Sequence, residues 1–323
     1  MRRSAVLVNI KKFQEQLIRV AQAKEKLSQQ VIEAFYAVPR HLFVDQYFDL
    51  DREQWVFVNE KNLKEHLKEI YSDHPLVLFG PEKNGPVSEK SPTLSTISQP
   101  SFVLFLIDKL KLISGQKVFE LGTGSGWNAV LMAHCVGSSG KVVSFEIIEE
   151  LAESAKEKIK SLKIKNCFVY SGDAAKGFEA EAPYDRMVFT AGAFDLPSAF
   201  HEQIKPGGLV LFVLKNQGTD LLILLKKNEN YFESLEMLPC RFVSMTGAQG
   251  QPAERPGANT LLPDNKKWNP VSYLKNKSSL RGLYLKVYLR SDFEQYFEKS
   301  DFKNIPESTE IWKRQDSVFV WEW

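Results

Sequence analysis

The residues with the most chemistry to offer lie in one stretch, Val118-Phe119-Glu120-Leu121-Gly122-Thr123-Gly124-Ser125-Gly126-Trp127. Three glycines alternate with small hydroxyl residues between an apolar run and an amphipathic one. Glycine permits the positive φ and the close backbone approach that a bound ligand demands at a strand-to-helix turn. Exposed amides at the start of the following helix favour anionic groups. Taken alone, such glycines serve equally well as a tight turn with no ligand. Three further features favour a ligand. Glu146 ends the next apolar run, where a carboxylate can accept both hydroxyls of a ribose. Gly172-Asp173-Ala174 follows the third run, where an acidic side chain can receive an adenine amino group. Pro183-Tyr184-Asp185 precedes the fourth. Ligands of open parallel sheets bind beyond the strands' carboxyl ends, so these residues are expected around one crevice. A dinucleotide turn would place its third glycine where Trp127 stands, whereas here glycine falls one residue early, at Gly126. With no pyrophosphate to cradle, a compact nucleoside such as S-adenosylmethionine fits better.

The elements that must position these residues follow from hydropathy. Short apolar runs at Lys117–Leu121, Lys141–Glu146, Cys167–Tyr170, Arg186–Thr190 and Gly208–Leu214 predict buried strands. Amphipathic stretches at Ala129–Val136 and Leu151–Leu162 predict helices between them. Such alternation predicts an α/β fold with a doubly wound, mostly parallel sheet, because parallel neighbours need a crossover. Asp220–Lys226 and Phe232–Val243 read as a closing antiparallel hairpin around Asn228-Glu229-Asn230. Upstream, Phe13 to Phe43 has helical spacing and is closed by Pro39, and a helical piece surrounds Leu63–Ile70. Gly80 to Pro100 lacks periodicity and reads as a long loop. The expected organisation is a core over 1–247, made of an N-terminal helical and substrate segment (1–100) and a cofactor-binding sheet (101–247). A Pro- and Gly-rich linker (248–270) and a small α+β C-terminal extension (271–323) follow.

Composition narrows the function class. The chain has 323 residues, Lys+Arg 42 against Asp+Glu 40, and a net charge of +2, which argues against a nucleic-acid partner. No apolar run reaches the roughly 18 residues needed to span a bilayer, so no membrane role is expected. Lys11-Lys12 cuts the N-terminal apolar stretch too short for a signal peptide. Cys135, Cys167 and Cys240 are odd in number and far apart, which predicts neither disulfides nor a metal site and suggests a reducing, cytoplasmic setting. Oligomeric state is not legible.

Glu120-Leu121-Gly122-Thr123-Gly124-Ser125-Gly126 resembles motif I of class I S-adenosylmethionine-dependent methyltransferases, with their Rossmann-like fold, and specifically that of protein-L-isoaspartate O-methyltransferases. Four other stretches are similar to that family in the same order: Val38-Pro39-Arg40-His41-Leu42-Phe43-Val44, Thr96-Ile97-Ser98-Gln99-Pro100, Pro183-Tyr184-Asp185 with Thr190-Ala191, and Lys205-Pro206-Gly207-Gly208. Phe242-Val243 with Met245-Thr246-Gly247 resembles the strand near the family core's C-terminus, so the match runs from about Phe13 to Gly247. The resemblance implies a methyltransferase that uses S-adenosylmethionine to esterify the free α-carboxylate of an isoaspartyl residue in a damaged protein or peptide. It implies that Ser98 touches the substrate carboxylate and that Thr96 and Ile97 help enclose it, with Gln99, Arg40 and His41 beside them. It also implies that Gly122, Gly124, Glu146 and Asp173 hold the cofactor, with Glu120, Thr123, Ser125, Gly126, Ala174 and Thr190 completing the set. Leu94-Ser95 stands where the family carries Gly-Gln, and Ala174 where glycine is usual.

This chemistry asks little of side chains. A carboxylate is already ionised at neutral pH, so its methylation needs no general base. Charge is partly neutralised on the way to the transition state, so a closed pocket and good orientation suffice. The chain accordingly offers no Ser/His/Asp set, no paired His and no Cys cluster. Arg40 can pair bidentately with a substrate carboxylate or form a salt bridge, and His41 can cap carbonyls or pack. Two other functions stay open: a carboxylate methyltransferase that tailors one biosynthetic peptide, and a non-catalytic S-adenosylmethionine-binding adaptor.

Overall fold

The computed structural model describes residues 2–80, 95–215, 220–245, 283–297 and 308–322. These belong to two compact units, Met1–Gly172 and Asp173–Trp323.

The first unit opens with helices α1 (Arg2–Lys24) and α2 (Gln29–Ala37). The second ends two residues before Pro39, which starts a 3-10 turn over Arg40–Phe43. The predicted helical stretch is therefore three pieces, the second break falling where the Pro39 ring removes a donor. Next come the hairpin β1 (Gln46–Asp49) and β2 (Gln54–Phe57), then helix α3 (Leu63–Ile70). Strand β3 (Leu76–Phe79) pairs antiparallel with β4 (Ser95–Ile97), and α4 (Pro100–Lys109) begins with Pro100 in its first turn, where a missing N–H costs nothing. The expected long loop thus ends earlier than Pro100, in a strand that carries Thr96. Residues 81–94 of that loop lie outside the described residues.

The regular part of this unit alternates strand and helix: β5 (Lys117–Leu121), α5 (Trp127–Val136), β6 (Lys141–Glu146), α6 (Glu149–Ser161) and β7 (Cys167–Ser171). The central strand, β6, pairs in parallel with both β5 and β7. Leu121 stands opposite Phe145 and Glu146 opposite Ser171, so the chain leaves β5, β6 and β7 at one edge. Val118, Phe119, Val142 and Val143 are fully buried, which is why these strands read as continuous apolar runs.

The second unit contains β8 (Tyr184–Phe189), α7 (Ser198–Gln203), β9 (Ile204–Leu214), β10 (Asp220–Lys227), β11 (Tyr231–Cys240), β12 (Tyr284–Leu289), α8 (Arg290–Phe297), β13 (Thr309–Lys313) and β14 (Ser317–Glu322). Strands β8 and β9 are parallel; the rest pair antiparallel in the order β9-β10-β11-β12-β14-β13. The β10–β11 hairpin matches the expected one. The C-terminal strands continue the same sheet through β12, whose Val287 stands opposite Phe232 of β11. A polar clasp also ties this segment to the turn before α7. Asp195 Oδ2 accepts the Asp316 amide at 2.7 Å, and Ser317 Oγ donates to the Leu196 carbonyl at 2.7 Å while bonded to His201 Nε2 at 2.7 Å. Trp321 is fully buried beside Trp312, a strand-face role, whereas Trp323 and the expected linker lie outside the described residues. No helix among the described residues is long and apolar enough to cross a membrane.

Candidate active site

The glycine turn forms as expected at the end of β5. Gly122, Gly124 and Gly126 have φ of 92°, 52° and 84°, a region side chains rarely enter. The Gly122 and Thr123 amides donate to the Phe145 carbonyl, and the Gly126 amide donates to Thr123, which closes the turn before α5. The Gly124 amide donates to Glu146 Oε2 at 2.8 Å, and Glu146 Oε1 accepts the Ile148 amide at 3.1 Å. Each carboxylate oxygen keeps further lone pairs, so Glu146 can steady the turn and still accept hydroxyls. Burial nevertheless raises its pKa against the lowering effect of those amides.

Glu120 does not face the ligand side in the same way. It is fully buried, and its Oε2 accepts Ser144 Oγ at 2.5 Å, while Ser144 Oγ also bonds Thr123 Oγ1 at 2.6 Å. Burial pushes the Glu120 carboxyl up to about 8, helped by nearby Glu146 and opposed by the Ser144 bond. Its Oε1 is buried with no hydrogen-bond partner among the described residues. A buried polar atom without a partner is costly.

The candidate acceptor strand lies against this turn. A Cβ on Gly124 would come within 3.3 Å of Ser95 Oγ and 3.8 Å of the Thr96 carbonyl oxygen. Ile97 is buried, Thr96 and Ser98 are half-buried, and the Ser98 hydroxyl has no hydrogen-bond partner among the described residues. Arg40, expected either to pair with a substrate carboxylate or to form a salt bridge, makes no salt bridge among the described residues. Its guanidinium is fully buried and donates only to backbone carbonyls: Nε to Ile70, Nη1 to Ser98, and Nη2 to Ile97 and His74. Gln99 donates its amide to Asp73 Oδ2 at 3.1 Å. Asp73 also accepts from Lys24 and Ser101, and these bonds hold its carboxyl below the usual range although burial alone pushes it up. His41 Nδ1 bonds the Tyr71 hydroxyl at 2.8 Å, and burial lowers the imidazole to about 4, so it is neutral at physiological pH.

In the second unit, Asp173 caps a 3-10 turn by accepting the Ala175 amide at 2.9 Å, with Ala174 buried behind it. Thr190 follows the last residue of β8 and is half-buried. Asp185 of the Pro-Tyr-Asp motif forms an ion pair with Lys205 at 2.6 Å.

Sequence reasoning missed Asp73, Ser144 and the work of Arg40. Hydrogen bonds to backbone carbonyls leave no mark on residue type or spacing. Trp127, directly after the turn, is fully buried, with its Nε1 donating to the Val38 carbonyl at 3.1 Å.

Comparison with known proteins accords with this geometry. Residues 11–250 match the family described as protein-L-isoaspartate(D-aspartate) O-methyltransferase. The chain is 36% identical over 237 residues to protein-L-isoaspartate O-methyltransferase 2 of Archaeoglobus fulgidus, covering 73% of this chain and 94% of that one. It is 32% identical over 225 residues to protein-L-isoaspartate O-methyltransferase of Pyrococcus horikoshii, covering 69% of this chain and 87% of that one. Among solved structures, one titled protein-L-isoaspartate O-methyltransferase superposes with a TM-score of 0.62 at 23% identity, covering 96% of this chain and 87% of that one. A putative family member from Plasmodium falciparum, in complex with S-adenosyl-L-homocysteine, gives 0.52 at 21% identity over 72% of this chain and 96% of that one. At those identities the structural likeness establishes the fold: an α/β, Rossmann-like methyltransferase sheet.

Proposed function

Since the chain belongs to the protein-L-isoaspartate(D-aspartate) O-methyltransferase family, we propose that Ser98, just after the strand that approaches the glycine turn through Ser95 and Thr96, aims an isoaspartyl α-carboxylate for methylation. The enzyme is an S-adenosylmethionine-dependent carboxyl O-methyltransferase, and its substrate is a protein or peptide bearing isoaspartate. The contact of Gly124 with the Ser95–Thr96 strand is the single observation that carries this reading. It sets the acceptor strand against the residues suited to the cofactor.

The donor set fits that cofactor: a positive-φ glycine turn and a carboxylate at the end of β6. The cofactor supplies an electrophilic methyl group on a sulfonium. Gly122 to Gly126 and Glu146 would hold it, Glu120 would brace the turn through Ser144 and Thr123, and Asp173, Ala174 and Thr190 would take the roles that family membership implies. The chain's own residues do the rest. The Ser98 hydroxyl donates to the acceptor carboxylate without removing a proton, because that oxygen already carries its charge. Thr96 and Ile97 wall the acceptor from water. Neutral His41 adds no competing cation, and protonated Glu120 spares the pocket a second negative charge beside Glu146. Three unpaired cysteines support a reducing, cytoplasmic setting for the same enzyme.

Methylation of an isoaspartyl peptide and of its normal aspartyl isomer tests the reading. Labile ester should form on the first alone, and equal labelling of both overturns it. Ser98→Ala should depress turnover far more than S-adenosylhomocysteine affinity; an unchanged rate shows that another group aims the acceptor.

A further inference from the structure

We propose that Arg40 is a positioning residue for methyl transfer, fixing the backbone of Ser98 against Trp127, the residue that starts the helix after the glycine turn. The inference rests on the role given to Ser98 above and deepens it.

Four hydrogen bonds converge on this one buried cation. Nη1 reaches the Ser98 carbonyl at 2.7 Å and Nη2 the Ile97 carbonyl at 3.3 Å, which holds both residues of the acceptor strand's end. Nε reaches the Ile70 carbonyl at 2.8 Å and Nη2 the His74 carbonyl at 3.4 Å, so the same plane is braced at the end of α3 and just before β3. The guanidinium carbon lies 4.9 Å from the centre of the Trp127 ring. That indole is itself fixed by its bond to the Val38 carbonyl and by edge contact with Phe35, 6.3 Å between centroids. Trp127 directly follows Gly126, so its ring connects Arg40 to the glycine turn.

A buried charge without a direct ion pair is expensive; here carbonyl dipoles and the Trp127 face offset it at close range, with Asp73 and Tyr71 adding to them from further away. Burial lowers Arg40 to about 9, still protonated at neutral pH. An apolar side chain would fill this space at less electrostatic cost. What it would lack is the rigid fork that holds carbonyls from separate segments in one plane. Lysine shares the charge and lacks the fork. A strand end of three residues has little sheet pairing of its own, so the angle of the Ser98 hydroxyl depends on what grips its carbonyl. Misplacement by an ångström can cost roughly a hundredfold in rate.

The test compares Arg40→Lys, Ser98→Ala and the double variant by kcat and KM for an isoaspartyl peptide, with S-adenosylhomocysteine affinity and thermal midpoint measured alongside. Arg40→Lys should lower kcat by roughly ten- to a hundredfold at temperatures where it is fully folded, with cofactor affinity little changed. The double variant should be no slower than Ser98→Ala alone, because Arg40 acts through Ser98. Wild-type kcat in folded Arg40→Lys overturns the proposal, as does a double variant whose loss is the product of the single losses. Should Arg40→Lys fail to fold, Trp127→Phe decides: a several-fold loss of kcat supports the linkage, and an unchanged kcat removes it. An unaltered rate in Ser98→Ala alone sinks the reading of the serine instead.

Discussion

Gly124 lies so close to Ser95 that an added Cβ would stand 3.3 Å from the serine hydroxyl oxygen. The turn suited to the cofactor and the strand suited to the acceptor are thereby in van der Waals reach, with no side chain able to intervene.

Gly124→Ala should therefore harm both partners. The methyl would crowd Ser95, and φ of 52° costs a side chain about 1–2 kcal/mol. S-adenosylhomocysteine should bind roughly tenfold more weakly, and kcat/KM for the peptide should fall further. Calorimetric titration with steady-state assays checks this; peptide kinetics untouched by weaker cofactor binding would mean that strand and turn act separately.

Glu120 governs an alkaline loss of stability. Its carboxyl rises from 4.5 to about 8 on folding, so between those pH values the native state holds a proton that the unfolded chain has released. Stability from this group is full below 4.5 and is lost as pH rises through about 8. Thermal midpoints measured from pH 5 to 9 should fall more steeply for the parent than for Glu120→Gln. Parallel curves would show that Glu120 is ionised throughout.

His41 should not titrate in the ordinary histidine range. Its pKa falls from 6.5 to about 4 because burial disfavours the cation, so it costs stability only as pH drops through that window, where the unfolded chain takes up the proton first. Imidazole NMR shifts assigned through His41→Gln should stay flat from pH 8 down to about 5. A midpoint near 6.5 would place His41 in water rather than against Tyr71.

Ser317 anchors the C-terminal segment. Ser317→Ala would leave the Leu196 carbonyl and His201 Nε2 without their partner inside the protein, at about 1–3 kcal/mol. A drop in denaturation midpoint is expected, and Asp195→Asn should share it through the Asp316 amide. Full stability in both variants would reduce this clasp to a bystander.

Much of the fold was legible because buried parallel strands announce themselves. Val118–Leu121 and Val142–Phe145 are mostly apolar runs, and the exit of the first into Gly122 is unambiguous. The glycine turn, Glu146 at its strand end and Trp127 beside them followed from type and spacing alone. By contrast, Ser95–Ile97 is too short to show alternation, and its pairing with Leu76–Phe79 spans a stretch of irregular sequence. The four-residue strands Gln46–Asp49 and Gln54–Phe57 hid among charges for the same reason. Arg40 misled in a different way. A charged residue in a motif invites a charged partner, yet carbonyl dipoles served here, and any residue can supply a carbonyl.

The match to the family stops at residue 250, but hydrogen bonding does not stop at β11. Tyr231, Phe232 and Glu233 of that strand find their partners in Tyr288, Val287 and Lys286, beyond the shared core. Without the last strands, a row of raw amides and carbonyls along a hydrophobic sheet would face water, the kind of border along which chains stick to each other. The extra segment thus acts as a built-in neighbour. At that end of β11 it moves the border outward to β13, five residues long, and a version cut after residue 250 should pay in self-association and precipitation rather than in lost chemistry.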